Sequence, residues 1–267
     1  MKINLLTYNL AMLPFKTRMS ASRARAAAFL EVIREKSPYH ILCLQEVFDE
    51  KIRELLKNGL NDEYPYIVEK VSDHDIINQD SGLFFASKFP VLRHTFREFD
   101  TKSIHTVDVL ADKGIFVAVL SPGTEEEKIL HVYNTHLQSR ESEIKTRRKQ
   151  LSQTGRFIFN GLKTEGKNSD FSKISAVLLG DFNVVGDSSE EYHTMIKLLG
   201  YPRDLYHEKN PGAKGYTWDS LHNRFITYLG KDDRDMQRLD YIFAFDRLPG
   251  MEGSREPEGL NKIECLS

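Results

Sequence analysis

Between residues 83 and 134 the chain carries five strand-like apolar segments in succession, at 83–86, 91–99, 104–110, 115–120 and 129–134, with no helical pattern between them. Turn residues such as Lys88-Phe89-Pro90 and Ser121-Pro122-Gly123 separate them. On either side of this run, strands alternate with helices. Residues 2–9 read as a strand, and 20–36 as a helix with Ser20 as N-cap and Pro38 just past its end. Residues 41–44 form a short continuous apolar strand, and 49–58 a helix stopped near Gly59. After the central run come a polar helix at 141–160, a buried strand at 174–179, a helix at 189–199 and a strand at 239–245. A hairpin-rich centre is not a pure βαβ repeat. The pattern predicts an α/β (α+β) fold with two packed mixed sheets flanked by helices. It fits a Rossmann sheet or a (β/α)8 barrel less well.

At 267 residues the chain is long enough to bury a sizeable core as one domain over residues 1–267. A net charge of −2 offers no bulk attraction to nucleic acid or an anionic membrane. The cluster Arg147-Arg148-Lys149 reads as a solvated helix face. No apolar run approaches the ~18 residues of a membrane span, so no transmembrane segment is expected. Met1-Lys2 leads straight into strand-like sequence without a signal peptide. A cytoplasmic monomer is the expectation, with secretion the alternative if a leader has been removed. Cys43, inside an apolar run, reads as a buried free thiol; with Cys265 far away there is no disulfide framework.

Polar residues gather where the apolar strands end, the places from which a rigid sheet delivers side chains into a common cleft. Asn9 ends the first strand, Glu46 the second and His136 a middle one; Asp181 and Asn183 follow a later one and Asp240 opens the last. Each has two readings. Glu46 is a carboxylate suited to Mg²⁺, which keeps several waters, or an acid in the first turn of the next helix. Asp181 and Asn183, two apart, share a face if the backbone stays extended, or form an Asx-turn. His136 can donate to a phosphoryl oxygen, or is a satisfied core histidine. Asn9 is a phosphate ligand or a turn residue. Asp240 orients a histidine, as a carboxylate does in a triad, or pairs with Arg238 or Arg234. Met12-Leu13-Pro14-Phe15 is a small apolar loop that either touches lipid or staples the next helix. Together and in this order, the polar residues are the parts of metal-assisted phosphodiester hydrolysis.

Six stretches resemble the endonuclease/exonuclease/phosphatase superfamily: Leu6-Thr7-Tyr8-Asn9, Leu44-Gln45-Glu46-Val47, residues 82–90, Thr135-His136-Leu137-Gln138, Gly180-Asp181-Phe182-Asn183 and Arg238-Leu239-Asp240-Tyr241. Within it the chain is most similar to the neutral, bacterial-type sphingomyelinases, through Ala111-Asp112-Lys113-Gly114-Ile115, Thr135 to Ser139, Gly215-Tyr216-Thr217-Trp218-Asp219 with Asn223, and residues 9–14. The resemblance implies a DNase I-like four-layer α/β/β/α sandwich. It implies a Mg²⁺-dependent phosphodiesterase (Mn²⁺ or another divalent cation being the alternative) that cleaves sphingomyelin, a phospholipid at a membrane surface, to ceramide and phosphocholine. Glu46 would bind the metal, with Asn9 beside it holding metal-bound water or phosphate. Asn183 and Lys113 would bind phosphate. His136 would stabilise phosphoryl charge, Asp181 with Asn183 would position the water, and Asp240 would orient a histidine. A nuclease acting on nucleic acid, or another phosphoesterase of the same superfamily, is the second expectation, and a non-catalytic binding module the third.

The chain departs from the family pattern in one place. A Ser-Asp-His run that would carry the general base is expected to begin near Ser267, the last residue; Ser72-Asp73-His74 has the right tripeptide in a polar loop elsewhere. The expectation is a chain cut short, with Asp-His and a further strand following Ser267, and little activity without them.

Overall fold

The computed structural model describes residues 2–12, 19–36, 38–71, 80–101, 112–123, 128–186, 190–223, 226 and 236–246. The first half runs β1 (Leu5–Met12), α1 (Met19–Lys36), β2 (Ile41–Val47), α2 (Glu50–Leu60), β3 (Tyr66–Val68), β4 (Phe84–Ser87) and β5 (Val91–Glu98). It continues with β6 (Gly114–Leu120), β7 (Ile129–His136), α3 (Ile144–Asn168), β8 (Ile174–Asp181), α4 (Glu190–Leu198), β9 (Arg203–Asp204), α5 (Leu205–Lys209), β10 (Trp218–Asp219), β11 (Met236–Gln237) and β12 (Asp240–Phe245). The strand expected at 104–110, Leu13 to Phe15, Ser72-Asp73-His74, Cys265 and Ser267 all lie outside the described residues.

Two mixed sheets form. One has the order β1-β2-β4-β3 and the other β5-β6-β7-β8-β12-β9; β10 and β11 make a separate ribbon. Each large sheet contains one parallel pair, β1 with β2 and β7 with β8. A parallel pair needs a crossover, and α1 and α3 supply it. The described residues thus contain two βαβ units, and the strands between and after them extend both sheets.

Strand alternation produces three apolar layers. Ile41, Cys43 and Phe85 of the smaller sheet meet Phe116, Ala118, Leu120, Leu130 and Val132 of the larger one in the centre. Leu42, Leu44, Phe84 and Ala86 point the other way, onto Ala26, Leu30 and Ile33 of α1 and Ile52, Leu56 and Leu60 of α2. Ile115, Val117, Val119 and Leu178 face Leu151, Ile158 and Leu162 of α3 and Met195 of α4. Helix, sheet, sheet and helix therefore stack in the expected α/β/β/α order. Each fully buried Phe or Leu contributes about 1.5–3 kcal/mol. Cys43 is buried and free, and burial pushes its thiol up out of the titrating range.

The sequence reading did not anticipate β3, β9, α5, β10 and β11, it placed the first strand at 2–9 rather than Leu5–Met12, and four further details differ. Ser20 lies inside α1, which begins at Met19. Gly59 does not stop α2. It sits within the helix where a Cβ would meet Leu30 Cδ1 at 2.5 Å, so it is the contact point between α1 and α2. Helix α3 extends to Asn168, because Ile158 and Leu162 carry its buried stripe past residue 160. Arg147 is not on a solvated face: it is 2% exposed.

Candidate active site

The C-terminal ends of both parallel pairs meet at one rim. In open α/β sheets this is where ligands bind. Asn9 of β1 donates from Nδ2 to Glu46 Oε1 of β2 and to Asp181 Oδ2 of β8, both at 2.9 Å. One amide thus bridges carboxylates from the two sheets. His136, the last residue of β7 and 5% exposed, places Nε2 3.8 Å from Glu46 Oε1 and 3.9 Å from Asp181 Oδ2. In the larger sheet Asp181 is flanked by His136 on β7 and by Asp240 on β12. Five of the residues singled out in the sequence, Asn9, Glu46, His136, Asp181 and Asp240, therefore share one rim.

Local backbone aims these side chains. Glu46 has φ 55°. A regular strand would send it to the same face as Leu44, under the helices; the left-handed turn directs it to the rim instead. Such a conformation costs a non-glycine residue about 1–3 kcal/mol and persists only where neighbours impose it. Here Val47 N–H donates to Gly82 O at 2.8 Å, and Arg53 Nε donates to Val47 O at 2.6 Å while its guanidinium pairs with Asp80. Glu46 is not the acid that caps α2: Asp49 is, accepting from Ile52 N–H.

Asp181 does two things at once. Its Oδ1 accepts from Asn183 N–H at 2.9 Å, an Asx-turn, while Oδ2 faces Asn9. The backbone does not stay extended, since Asn183 has φ 51°. Asn183 Nδ2 is thereby carried to Leu137 O, at 3.1 Å. Lys113 Nζ donates to the same carbonyl at 2.9 Å and is 3% exposed, so its amine is buried behind the rim. Asn183 and Lys113 form a second cluster just behind His136.

Asp240 does not pair with Arg238, which pairs with Asp204, and Arg234 lies outside the described residues. Its Oδ1 is buried and has no hydrogen-bond partner among the described residues. Burial first, then Asp181 and Glu46, hold its carboxyl well above the ordinary 3.8; a hydrogen bond from Thr217 opposes them. A carboxyl raised in the fold costs stability above its ordinary pKa, and the cost vanishes as pH falls towards that value. In metal-free protein, Asp240→Asn is therefore expected to raise the melting temperature at pH 7 and to leave it unchanged near pH 4. An equal effect at both pH values would show that the carboxyl is not strained.

Several supports were missed in the sequence. Arg25 donates to Ala11 O at 2.7 Å, just after Asn9. Arg147 Nη1 donates to Gln138 O at 3.1 Å, just after His136, and its Nε to Glu191 at 2.7 Å. With Arg53, three arginines pin the backbone just beyond a site residue. Arg238 pairs with Asp204 at 2.9 Å and lies over the rings of Tyr241, Tyr206 and Tyr192. Its carbonyl accepts from Gly186 N–H, and Leu239 O from Phe182 N–H, each at 2.9 Å, which ties the loop carrying Asn183 to the start of β12. Thr217 Oγ1 accepts from Leu239 N–H at 3.0 Å and Asp240 N–H at 3.2 Å. An arginine on a helix carries no local signal of the carbonyl it will reach, so spacing alone could not reveal these contacts.

No group of three or more His, Cys, Asp and Glu among the described residues is arranged as a ready-made metal cage. The donor set nevertheless suits Mg²⁺, which takes one or two carboxylates and fills its sphere with water and phosphate oxygens. Glu46 supplies a carboxylate of that kind, and Asp240, whose Oδ1 has no hydrogen-bond partner among the described residues, stands beside Asp181 on the same rim. Asn9 fits less directly, because its Oδ1 already accepts from Ala11 N–H at 2.9 Å and its NH₂ faces the carboxylates.

Two mixed sheets packed between helical layers, with acids, amides and an imidazole on one rim, place the chain in the α/β/β/α sandwich class. Residues 6–250 match the Endonuclease/Exonuclease/phosphatase family, and the chain belongs to that family. It is 24% identical over 267 residues to Sphingomyelinase C 2 of Leptospira interrogans, covering 91% of this chain and 39% of that protein. It is 25% identical over 269 residues to Sphingomyelinase C of Bacillus cereus, covering 91% and 74%. The chain thus spans about two fifths of the Leptospira relative. Among solved structures, a beta toxin from Staphylococcus aureus with bound magnesium ions superposes with TM-score 0.70 at 22% identity, covering 90% of this chain and 82% of that one. Danio rerio TDP2 complexed with a single-strand DNA product gives 0.67 at 17% identity, covering 93% and 84%. At these identities the structures show the shared fold.

Proposed function

We propose that this protein is a Mg²⁺-dependent phosphodiesterase of the sphingomyelinase type. The observation that carries the reading is the bridge Glu46–Asn9–Asp181, with His136 within 4 Å of both carboxylates. The sphingomyelinase relatives and the magnesium in the beta toxin structure support it. Glu46 would hold the metal, and the metal would neutralise charge gathering on the phosphoryl oxygens. Asn9 fixes Glu46 and Asp181 relative to each other. His136 donates from Nε2 to a phosphoryl oxygen and Asp181 orients the attacking water, while Asn183 and Lys113 hold the Leu137 carbonyl behind His136. Water adds to phosphorus as the ester bond to the alcohol breaks; the water proton leaves to a base and the alkoxide takes one up. Asp240 would orient that base, and no histidine occurs in residues 241–267. A net charge of −2 favours a zwitterionic lipid over a polyanion.

The test is a panel of sphingomyelin vesicles, lysophospholipid, inositol phosphates and single-stranded DNA, assayed on the full-length protein with Mg²⁺ and with chelator. Sphingomyelin is expected to release phosphocholine only with Mg²⁺. Cleavage of DNA alone would make the protein a nuclease. Substrate binding without cleavage would make it a binding module.

A further inference from the structure

Beneath the rim, at the interface of the two sheets, lies a polar contact in an otherwise apolar layer. Gln45 is wholly buried. Its Nε2 lies 2.8 Å from Asn134 Oδ1 across the sandwich, 3.1 Å from Thr7 Oγ1 on the neighbouring strand and 3.1 Å from Cys43 O. Asn134, also wholly buried, returns a hydrogen bond from Nδ2 to Leu44 O at 3.3 Å. The ordinary contacts in this layer are between Phe, Ile, Leu and Ala side chains.

The positions of these three residues are systematic. Thr7 is two residues before Asn9 on β1. Asn134 is two residues before His136 on β7. Gln45 directly precedes Glu46 on β2, at the point where the backbone turns left-handed. Each member therefore stands one or two residues before a site residue on its own strand. Apolar packing between sheets is non-directional and tolerates sliding. A buried amide pair does not, because displacement leaves a donor or acceptor unsatisfied at a cost of about 1–3 kcal/mol. The contact thus defines how far β2 stands from β7, and with it the separation of Glu46 from His136.

We propose that Thr7, Gln45 and Asn134 are positioning residues, an inter-sheet lock that sets the Glu46–His136 spacing and so tunes metal affinity and turnover without touching substrate. This rests on the reading of Glu46 as the magnesium ligand. The lock explains why two amides occupy a core position that apolar residues could also fill, since replacing both partners of a buried hydrogen bond by apolar groups of similar shape recovers most of the cost of leaving one unpaired.

The test uses the full-length protein and three measurements: melting temperature, the Mg²⁺ concentration that gives half of the Mg²⁺-induced melting shift without substrate, and kcat and KM on sphingomyelin vesicles. Gln45→Met and Asn134→Leu alone are expected to lower the melting temperature. The double variant is expected to regain part of it, since Thr7 Oγ1 and the carbonyls of Cys43 and Leu44 still lose an amide donor, yet to lose about 10–100-fold in kcat, as for residues that support a metal ligand. KM should stay within about twofold, and the Mg²⁺ midpoint should rise about tenfold or more. A double variant with wild-type stability, kcat and Mg²⁺ midpoint would overturn the lock. Should the double variant fold poorly, Thr7→Val against Thr7→Ser decides. Valine should reduce kcat and Mg²⁺ affinity while serine restores both; identical behaviour of the two overturns the proposal. A wild-type protein that neither hydrolyses the lipid nor shifts with Mg²⁺ would instead mark failure of the functional reading itself.

Discussion

Glu46→Gln is expected to lower Mg²⁺-dependent hydrolysis by about 10³-fold, since the charge stabilisation supplied through a metal ligand is worth several kcal/mol and each 1.36 kcal/mol is tenfold in rate. The substitution keeps the shape of the side chain and can still accept from Asn9 Nδ2. It removes one of the two charges that, after burial, raise the Asp240 carboxyl. The melting temperature of the metal-free protein should therefore hold or rise while activity collapses. The Mg²⁺-induced melting shift should shrink with it. Activity within tenfold of wild type at saturating Mg²⁺ would remove Glu46 from the metal site.

Gly180→Ala is expected to destabilise the fold by about 3 kcal/mol or more, from backbone strain plus overpacking, and to abolish activity as well. Gly180 has φ 149°, and a Cβ there would lie 2.0 Å from Thr135 O. The obstacle is the backbone of β7, which cannot swing aside as a flexible side chain would. Thr135 pairs with Gly180 directly below the His136–Asp181 pair. Pushing the strands apart at this rung separates the imidazole from the carboxylate above it. In thermal unfolding the variant should melt several degrees below wild type. Gly161→Ala is the control, since its nearest neighbour is Tyr133 Oη at 3.3 Å, and it should be close to neutral. Equal melting of the two variants would show that the parallel pair has slack.

Much of this site was legible one residue at a time because strand ends advertise themselves: an apolar run stops and a polar residue follows. Asn9, Glu46, His136 and Asp181 were found that way and Asp240 at the start of the last strand, and all reach the same rim. The alternatives were harder to separate. Glu46 could equally have been an acid of the next helix's first turn, and only the structure gives the cap of α2 to Asp49. For Asp181 the two readings proved compatible, since its two oxygens serve different partners. Asn183 follows a backbone turn that dipeptide spacing does not encode. Arg147 looked like part of a solvated basic cluster, because a run of charges does not say which member turns inward.

By itself the sequence determined what local chemistry can determine: most of the longer strands and helices among the described residues, that hairpins interrupt the βαβ units, and which polar residues sit at strand ends. Periodicity and turn residues act over a few positions, so they survive without knowledge of the fold. Tertiary structure alone decided how the two sheets face each other. Asn9 meets Asp181 across 172 positions and Gln45 meets Asn134 across 89. Contacts at such separations form only when the apolar layers of the sandwich close, and closure turns scattered polar residues into a site.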